Sequence, residues 1–334
     1  MTRPYPAQRV LSILLLLALL LMLSADAVWG ERARPRRDAP RSDCTRTSTG
    51  LVPLNDLGTG SYQGFQGGLY EGGRNKPGDA YMTDGMAHSA LVTPLDGEGQ
   101  PNPNGRIVLL SIGMSNTTQE YSTFKQIADA DPQKNPRVLI VDGAQGGQDA
   151  QIIRNPNAQF WTIVDQRLTT AGATPRQVQA VWLKEAIAGE NRVFPADATG
   201  LKEALQDIVR IMTTRYPNLR LIYASSRIYA GYATTSLNPE PYAYQSAFAV
   251  KWLIQEARHA IRGRPEAQPW LGWGPYLWAD GLVPRSDGLT WLCSDFQSDG
   301  THPSTSGRQK VAQMLLDFFK TDPTAKGWFL APGR

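Results

Sequence analysis

A serine, an aspartate and a histidine stand at two places where this 334-residue sequence predicts loops. Ser115 lies just past the apolar run 107–113, and Asp299 and His302 lie just before the last predicted helix. An aspartate three residues before a histidine can fold back onto its ring and supply a base with its orienting carboxylate. A lone serine also fits a polar loop, and a lone Asp-x-x-His arises by chance. Together they predict nucleophilic catalysis, with Ser115 as nucleophile, His302 as general base and Asp299 as its partner.

Apolar runs that alternate with helical patterns position these residues. Predicted strands lie at 107–113, 137–141, 178–183 and 219–224, with a fifth inside 270–278, and predicted helices lie at 121–130, 158–170, 198–215, 242–262 and 304–319. Strands separated by helices favour a parallel sheet that is covered on both faces. Such sheets bind ligands at the carboxyl ends of their strands, which is where Ser115 is expected.

A glycine-rich turn, 143–147, follows the second predicted strand. It could be interpreted as a phosphate cradle. However, it is not a Gly-x-Gly-x-x-Gly, and neither Gly-Lys-Ser nor Gly-Lys-Thr follows it. Nucleotide binding is therefore the weaker interpretation of this turn.

Three segments resemble the motifs of the SGNH/GDSL hydrolase family. They are Gly113-Met114-Ser115-Asn116, the glycine turn, and Asp299-Gly300-Thr301-His302-Pro303, in the family's order over residues 105–320. The resemblance implies an α/β fold, namely a flavodoxin-like three-layer α/β/α sandwich with a central parallel sheet of about five strands. It also implies an esterase, lipase or carbohydrate deacetylase with a Ser-His-Asp triad. The backbone of Ser115 and of Gly147, or alternatively Gly146, would bind the oxyanion.

The match departs from the family at two positions. Gly-Met-Ser replaces the usual Gly-Asp-Ser, and Lys184 stands where the third motif normally offers an amide donor. An ammonium group is also a donor and could stabilise an oxyanion. The alternative is that Lys184 pairs with Glu185 or Asp142.

The N-terminal residues predict export. Arg3 and Arg9 precede an apolar run, 10–23, and Ala25-Asp26-Ala27 fits a signal cleavage site, so residues 1–27 are predicted to be a signal peptide. The run is short for a membrane span, although an uncleaved anchor is the alternative. We expect a secreted, periplasmic or envelope protein, without a stable membrane span after cleavage.

The basic character of the sequence is concentrated near its start. Residues 28–50 form a predicted flexible linker in which six arginines face three acids. The rest is about neutral, so no nucleic-acid partner is expected. Residues 51–104 are interpreted as an irregular, β-rich lead-in packed on a main domain, 105–334.

Cys44 and Cys293 are the two cysteines. Because export allows disulfides, we expect them to pair, with two free thiols as the alternative.

The predicted function is that of a secreted serine esterase that hydrolyses short acyl esters, with acetyl esters of carbohydrates favoured. Neither a metal nor another cofactor is expected, the substrate would be a small ester or an acylated glycan, and the oligomeric state is left open. Aromatic residues before the Asp-His loop suit either a sugar platform or the core: Trp270, Trp273, Tyr276, Trp278 and Trp291. Two alternatives are an envelope glycan O-acyltransferase with the same triad and a non-catalytic, glycan-binding relic.

Overall fold

The apolar runs form one sheet of five parallel strands in a computed structural model that describes residues 41–260 and 268–333. The strands are β1 (Ile107–Gly113), β2 (Val138–Asp142), β3 (Val178–Lys184), β4 (Leu221–Ala224) and β5 (Trp270–Trp273). Their order across the sheet is β2-β1-β3-β4-β5, and every neighbouring pair is parallel. This is the flavodoxin-like order, so the predicted fold class is confirmed.

Helices cover both faces of this sheet, as parallel strands require. They are α1 (Asp79–Ala90), α2 (Ser115–Asp129), α3 (Gln159–Thr170), α4 (Ala196–Arg215), α5 (Tyr242–Ala260), α6 (Thr305–Thr321) and α7 (Pro323–Phe329). Helix α2 packs against α6, and α4 packs against α5. Strands β1 and β3 are buried along their whole length, which explains their continuous apolar sequences.

The lead-in is not β-rich, and that part of the prediction was wrong. Its described strands are a short antiparallel pair of two residues each, Ser61–Tyr62 and Phe65–Gln66, and its main element is helix α1. Contacts with β5 stabilise α1. The hydroxyl of Tyr81 donates to the carbonyl oxygen of Leu271 at 2.7 Å, and Nε1 of Trp270 donates to the backbone carbonyl oxygen of Tyr81 at 3.0 Å. A local pattern cannot reveal contacts with a strand so distant in the sequence.

The last part of the predicted flexible linker is bound to the domain. Cys44 and Cys293 form a disulfide, in agreement with the prediction. Asp280 accepts hydrogen bonds from the backbone N–H and the hydroxyl of Thr49, at 2.6 and 2.7 Å. Residues 44–49 are therefore held by a covalent bond and a buried carboxylate, which composition alone did not indicate.

Several predictions fall outside the described part of the chain. The signal peptide and the linker up to residue 40 belong to this group. Within residues 41–260 and 268–333, no helix combines the length and the apolarity that a membrane span needs.

The clustered aromatic residues belong to the core. All five are at most 5% exposed: Trp270, Trp273, Tyr276, Trp278 and Trp291. The indole N–H groups of the four tryptophans donate to the protein itself, as that of Trp273 does to the carbonyl oxygen of Leu69 at 2.7 Å. The sugar platform is therefore wrong as an interpretation, because these rings fill the interior.

Candidate active site

Ser115 is the first residue of helix α2 and lies just past the carboxyl end of β1. Strand β1 ends at Gly113, where only glycine fits, because a Cβ would lie 2.3 Å from the carbonyl oxygen of Lys184 and 2.5 Å from Oγ1 of Thr117. Met114 is the N-cap residue and makes no side-chain capping bond. The N–H of Ser115 consequently has no intrahelical partner and lies at the positive end of the helix dipole.

A second tight loop, 297–302, presents the histidine. The N–H of Gln297 donates to the carbonyl oxygen of His302 at 2.8 Å, which closes the loop. Gly300 has a φ of +65°, and a Cβ there would lie 2.1 Å from the carbonyl oxygen of Tyr232. This position therefore requires glycine both for its backbone conformation and for the space it leaves.

The two loops bring the three candidate residues into one chain of hydrogen bonds. Oγ of Ser115 lies 2.8 Å from Nε2 of His302, and Nδ1 of His302 lies 2.6 Å from Oδ2 of Asp299. Because an ionised carboxylate can only accept, Nδ1 carries the proton that Asp299 receives. Nε2 is then free to accept the hydroxyl proton of Ser115, which is the arrangement that a general base needs.

The environment of Asp299 keeps it ionised. Burial alone would raise its pKa, but hydrogen bonds from the ring of His302 and from the backbone N–H groups of His302 and Thr301 outweigh burial and lower the pKa of Asp299. The two N–H groups lie 3.0 and 2.9 Å from Oδ1. The carboxylate thus fixes both the tautomer and the orientation of the imidazole.

The glycine turn after β2, residues 143–147, also lies close to Ser115. Gly147 has a φ of +73° and lines the same cavity as Ser115, whereas Gly146 does not line it, although a Cβ at Gly146 would lie 3.9 Å from Cβ of Ser115. The N–H of Gln145 donates to the carbonyl oxygen of Gly113 at 2.9 Å, which ties the turn to the end of β1. Of the two predicted oxyanion glycines, Gly147 is the one that lines the cavity.

Lys184 is turned away from the cavity. Its ammonium group donates to Oε2 of Glu120, and the two side chains are 1% and 0% exposed. Burial lowers the pKa of Lys184 to about 8, although Glu120 opposes this shift. This placement does not fit the oxyanion donor predicted from the sequence, and the ammonium pairs with Glu120 rather than with Glu185 or Asp142.

A cavity of about 350 Å³ opens beside Ser115 and His302. Apolar side chains form much of its wall: Met114, Ile152, Ala188 and Leu237. Asp149 and Arg227 also line it, and sequence reasoning missed both. The signal was available, since Arg227 lies three residues past the end of β4, at the same edge of the sheet as Ser115.

Asn116 is a further residue that the sequence analysis did not place. Its side chain is 1% exposed, and Nδ2 donates to the carbonyl oxygen of Thr301 at 2.9 Å. It therefore connects the start of α2 to the loop that carries His302, and so stabilises the distance between nucleophile and base.

Comparison with known proteins gives likenesses in structure alone. No family model matches the sequence, and no curated protein is similar to it. The similar solved structures include a GDSL-like lipase from Bacteroides thetaiotaomicron, 11% identical, covering 71% of this chain and 95% of that one, with a TM-score of 0.37. A carbohydrate esterase family 3 protein from Talaromyces cellulolyticus is 14% identical. The match covers 62% of this chain and 93% of that one, with a TM-score of 0.37.

A third likeness is the periplasmic domain of a lipopolysaccharide acetyltransferase from Salmonella Paratyphi A. It is 14% identical, the match covers 72% of this chain and 95% of that domain, and the TM-score is 0.36. These likenesses concern the fold. The strand order agrees with the flavodoxin-like fold that the resemblance to SGNH/GDSL hydrolases implies.

Proposed function

We propose that this chain is a serine ester hydrolase of the SGNH/GDSL type, acting outside the cytoplasm on a short acyl ester. The observation that carries the proposal is the continuous hydrogen-bond chain from Ser115 through His302 to Asp299 beside an open cavity. These three side chains come from two loops far apart in the sequence, and their order of contact is that of a nucleophile, a base and an orienting acid.

Acylation begins when Nε2 of His302 takes the proton of the Ser115 hydroxyl. Oγ then attacks the ester carbonyl carbon, and the carbonyl oxygen becomes an oxyanion that the N–H groups of Ser115 and Gly147 stabilise. The bond from carbon to the alkoxy oxygen breaks, and His302 gives its proton to the leaving alcohol. The products of this half-reaction are the free alcohol and an acyl group on Ser115.

Deacylation repeats the route with water. His302 takes a proton from water, the resulting hydroxide attacks the acyl carbon, and the bond to Oγ breaks as His302 returns the proton to Ser115. Asp299 stabilises the imidazolium in both halves without taking its proton. No step requires a group beyond the side chains and backbone named.

The cavity supports a small acyl group. Its volume of about 350 Å³ lies near the lower end of the range for ligand sites, about 300–1,000 Å³. Ile152 and Leu237, which are 44% and 41% exposed, lie at its wall and offer apolar contact to an acyl chain or a sugar face. An acetyl ester of a carbohydrate fits this combination, as does a short simple ester.

The test compares the wild type with Ser115→Ala, using the exported chain with its disulfide intact. Release of p-nitrophenol from p-nitrophenyl acetate and of acetate from acetylated xylan are measured. We expect kcat to fall at least about 10³-fold in the variant. Ser122→Ala, on the same helix but outside the cavity, is the matched control and should keep its activity.

Two results would contradict the proposal. If Ser115→Ala retains the wild-type rate, the hydroxyl is not the nucleophile. If the folded wild type releases p-nitrophenol only when a sugar acceptor is present, and the acetyl group is then found on that acceptor, the chain is an acyltransferase that uses the same three residues.

A further inference from the structure

The loop that carries Asp299 and His302, residues 297–302, is attached to a segment from the other end of the sequence. The backbone N–H of Ser42 donates to the carbonyl oxygen of Ser298 in this loop. Cys44 is bonded to Cys293, which begins the short 3₁₀ turn just before the loop. We call residues 297–302 the histidine loop and residues 42–50 the N-terminal strap. One covalent bond and one hydrogen bond therefore join the strap to the histidine loop or its immediate approach.

The segment that follows β4 lies between the strap and the histidine loop. The N–H of Asp43 donates to the carbonyl oxygen of Tyr232 at 2.9 Å. This is the same oxygen that a Cβ at Gly300 would meet at 2.1 Å. The hydroxyl of Tyr229 donates to the carbonyl oxygen of Arg46 at 2.6 Å. The strap thus holds the segment against which the glycine of the histidine loop packs.

The same segment also contacts the part of the loop that bears the reacting groups. The N–H of Thr234 donates to the carbonyl oxygen of Asp299 at 3.4 Å, and the hydroxyls of Thr235 and Thr301 lie 2.9 Å apart. A general base works only when its supporting contacts hold it in the productive geometry. The position of His302 relative to the nucleophile therefore depends on contacts that begin in the strap.

The downstream half of the strap has anchors of its own. The carboxylate of Asp280 accepts from the backbone N–H groups of Thr49 and Gly50, at 2.6 and 3.0 Å. The carbonyl oxygen of Thr47 accepts from the N–H of Leu282 at 2.8 Å. Breaking the disulfide consequently frees the upstream end of the strap, residues 42–44, and leaves residues 47–50 attached to the domain.

The disulfide is open to reagents in solution. Cys44 is exposed and Cys293 is half-buried. Exposed disulfides are the ones that exchange readily with thiols, whereas buried structural ones resist reduction. The sequence contains 2 cysteines, so reduction cannot be followed by pairing with a different cysteine of the same chain.

We propose that the Cys44–Cys293 disulfide is a redox switch of the active site, which hydrolyses its ester at the full rate when oxidised and slowly when a dithiol has reduced it. The inference rests on the proposed hydrolase function and names its regulation. Without the covalent bond, the hydrogen bond from Ser42 remains, and a single hydrogen bond near the surface does not fix a loop. A chain in a reducing cytosol is thereby kept slow until it reaches an oxidising compartment.

The reducing step is thiol–disulfide exchange. A thiolate of the dithiol attacks one sulfur of the disulfide, the S–S bond breaks, and the departing sulfur takes up a proton. The second thiol of the reagent then displaces the other cysteine from the mixed disulfide. The protein gains two electrons and two protons, and the reagent is oxidised to its own cyclic disulfide.

The test titrates the wild-type protein with dithiothreitol, which is removed by gel filtration under nitrogen before each assay. Free thiols, near-ultraviolet circular dichroism and the kinetics of p-nitrophenyl acetate hydrolysis are measured on the same samples. We expect kcat to fall about 10- to 100-fold as the thiols appear, because the loop that moves carries the base. KM should change less than about twofold, the dichroism should persist, and reoxidation should restore kcat.

A variant without the disulfide provides the matched control. Cys44→Ser combined with Cys293→Ser should have the kcat of the reduced wild type and should not respond to dithiothreitol. A response in this variant would mean that the reagent acts elsewhere, and the proposal would be wrong. If the double variant does not fold, the reduced and reoxidised wild type decides the question.

Other outcomes overturn the switch and leave the proposed hydrolase intact. A fully reduced wild type that keeps its kcat, still dependent on Ser115, has a disulfide with no influence on the site. A loss of kcat that parallels loss of the dichroism would show that the bond stabilises the fold alone. Failure of the proposed function is recognised before any reductant is added, because the oxidised protein then hydrolyses no ester or does so without Ser115.

Discussion

The ion pair between Lys184 and Glu120 permits a quantitative test of where this lysine acts. Lys184 is the last residue of β3, Glu120 lies in the second turn of α2, and both side chains are almost fully buried. Replacing Lys184 by methionine leaves a buried carboxylate without its donor, and Oε1 of Glu120 already lacks one. Breaking such a pair costs about 3–5 kcal/mol of unfolding free energy.

The same reasoning predicts the behaviour of the double variant. Replacing both members, as Lys184→Met with Glu120→Leu, removes the uncompensated charge together with its partner. Such replacements are neutral or stabilising by about 1–4 kcal/mol. The strongly destabilised single variant should therefore be rescued by a second substitution, an outcome that independent sites would not give.

The pH dependence of the single variant has a defined sign. Burial raises the pKa of Glu120, and Lys184 opposes that shift, so removing the lysine raises the pKa further. A carboxyl whose folded pKa exceeds its unfolded value contributes stability at low pH that is lost as the pH rises. The deficit of Lys184→Met should consequently be larger at pH 7 than at pH 5.

Urea denaturation followed by tryptophan fluorescence measures these differences. Lys125→Met is the control, because Lys125 pairs with Asp129 on the surface, where the side chains are 41% and 39% exposed. An exposed pair contributes about 0.2–1 kcal/mol. If Lys184→Met destabilised the protein no more than this control, the buried pairing would be refuted.

Kinetics of the double variant separate a structural lysine from an oxyanion donor. We expect kcat of Lys184→Met with Glu120→Leu to remain close to the wild-type value. Loss of an oxyanion donor lowers kcat about 10²–10³-fold. A folded double variant with a loss of that size would restore the interpretation first drawn from the sequence.

Three further predictions concern the surroundings of the site. Gly300→Ala should lower both the stability and kcat, because the new Cβ meets a backbone carbonyl in the loop that carries His302. Gly288→Ala is the control: its φ is +84° and a Cβ there has open space, so it should lower the stability alone. Thermal unfolding and ester hydrolysis distinguish the two. Replacing Cys44 and Cys293 by serine should cost about 2–5 kcal/mol, measured by urea unfolding, and an unchanged midpoint would refute this expectation. Burial raises the pKa of Glu240 to about 6 from 4.5, so its contribution to stability should be lost as the pH rises across this interval. Glu240→Gln should remove that component from the pH dependence of unfolding, by at most about 2 kcal/mol.

The sheet could be predicted from the sequence because its strands are buried on both faces. Such strands consist of continuous apolar runs, and the predicted strand 178–183 differs from β3 by one residue. The start of α2 was harder to predict. Its first turn, from Ser115 onward, is polar because it lies at the site, so the apolar periodicity begins only at Tyr121.

The pairing of charges could not be predicted in the same way. Lys184 was expected beside the oxyanion because of its place in a motif, but Glu120 lies on a helix that follows a different strand. Spacing along the chain does not reveal that β1 and β3 are neighbours, which brings α2 over the end of β3. The partner of a buried charge follows from strand order, and strand order is a property of the whole sheet.

Strand order and burial together separate the structural charges from the functional ones. Ser115, Lys184 and Arg227 lie at or just past the ends of β1, β3 and β4, at one edge of the sheet, and that position alone does not say which of them acts in the site. The ammonium of Lys184 is buried against Glu120 and does not line the cavity. Arg227 lines the cavity but is 1% exposed, and four acids lie within electrostatic range of its guanidinium: Glu120, Glu185, Glu240 and Asp299. Residue type and distance from a strand end therefore do not separate a structural charge from a site residue, whereas contacts and burial do.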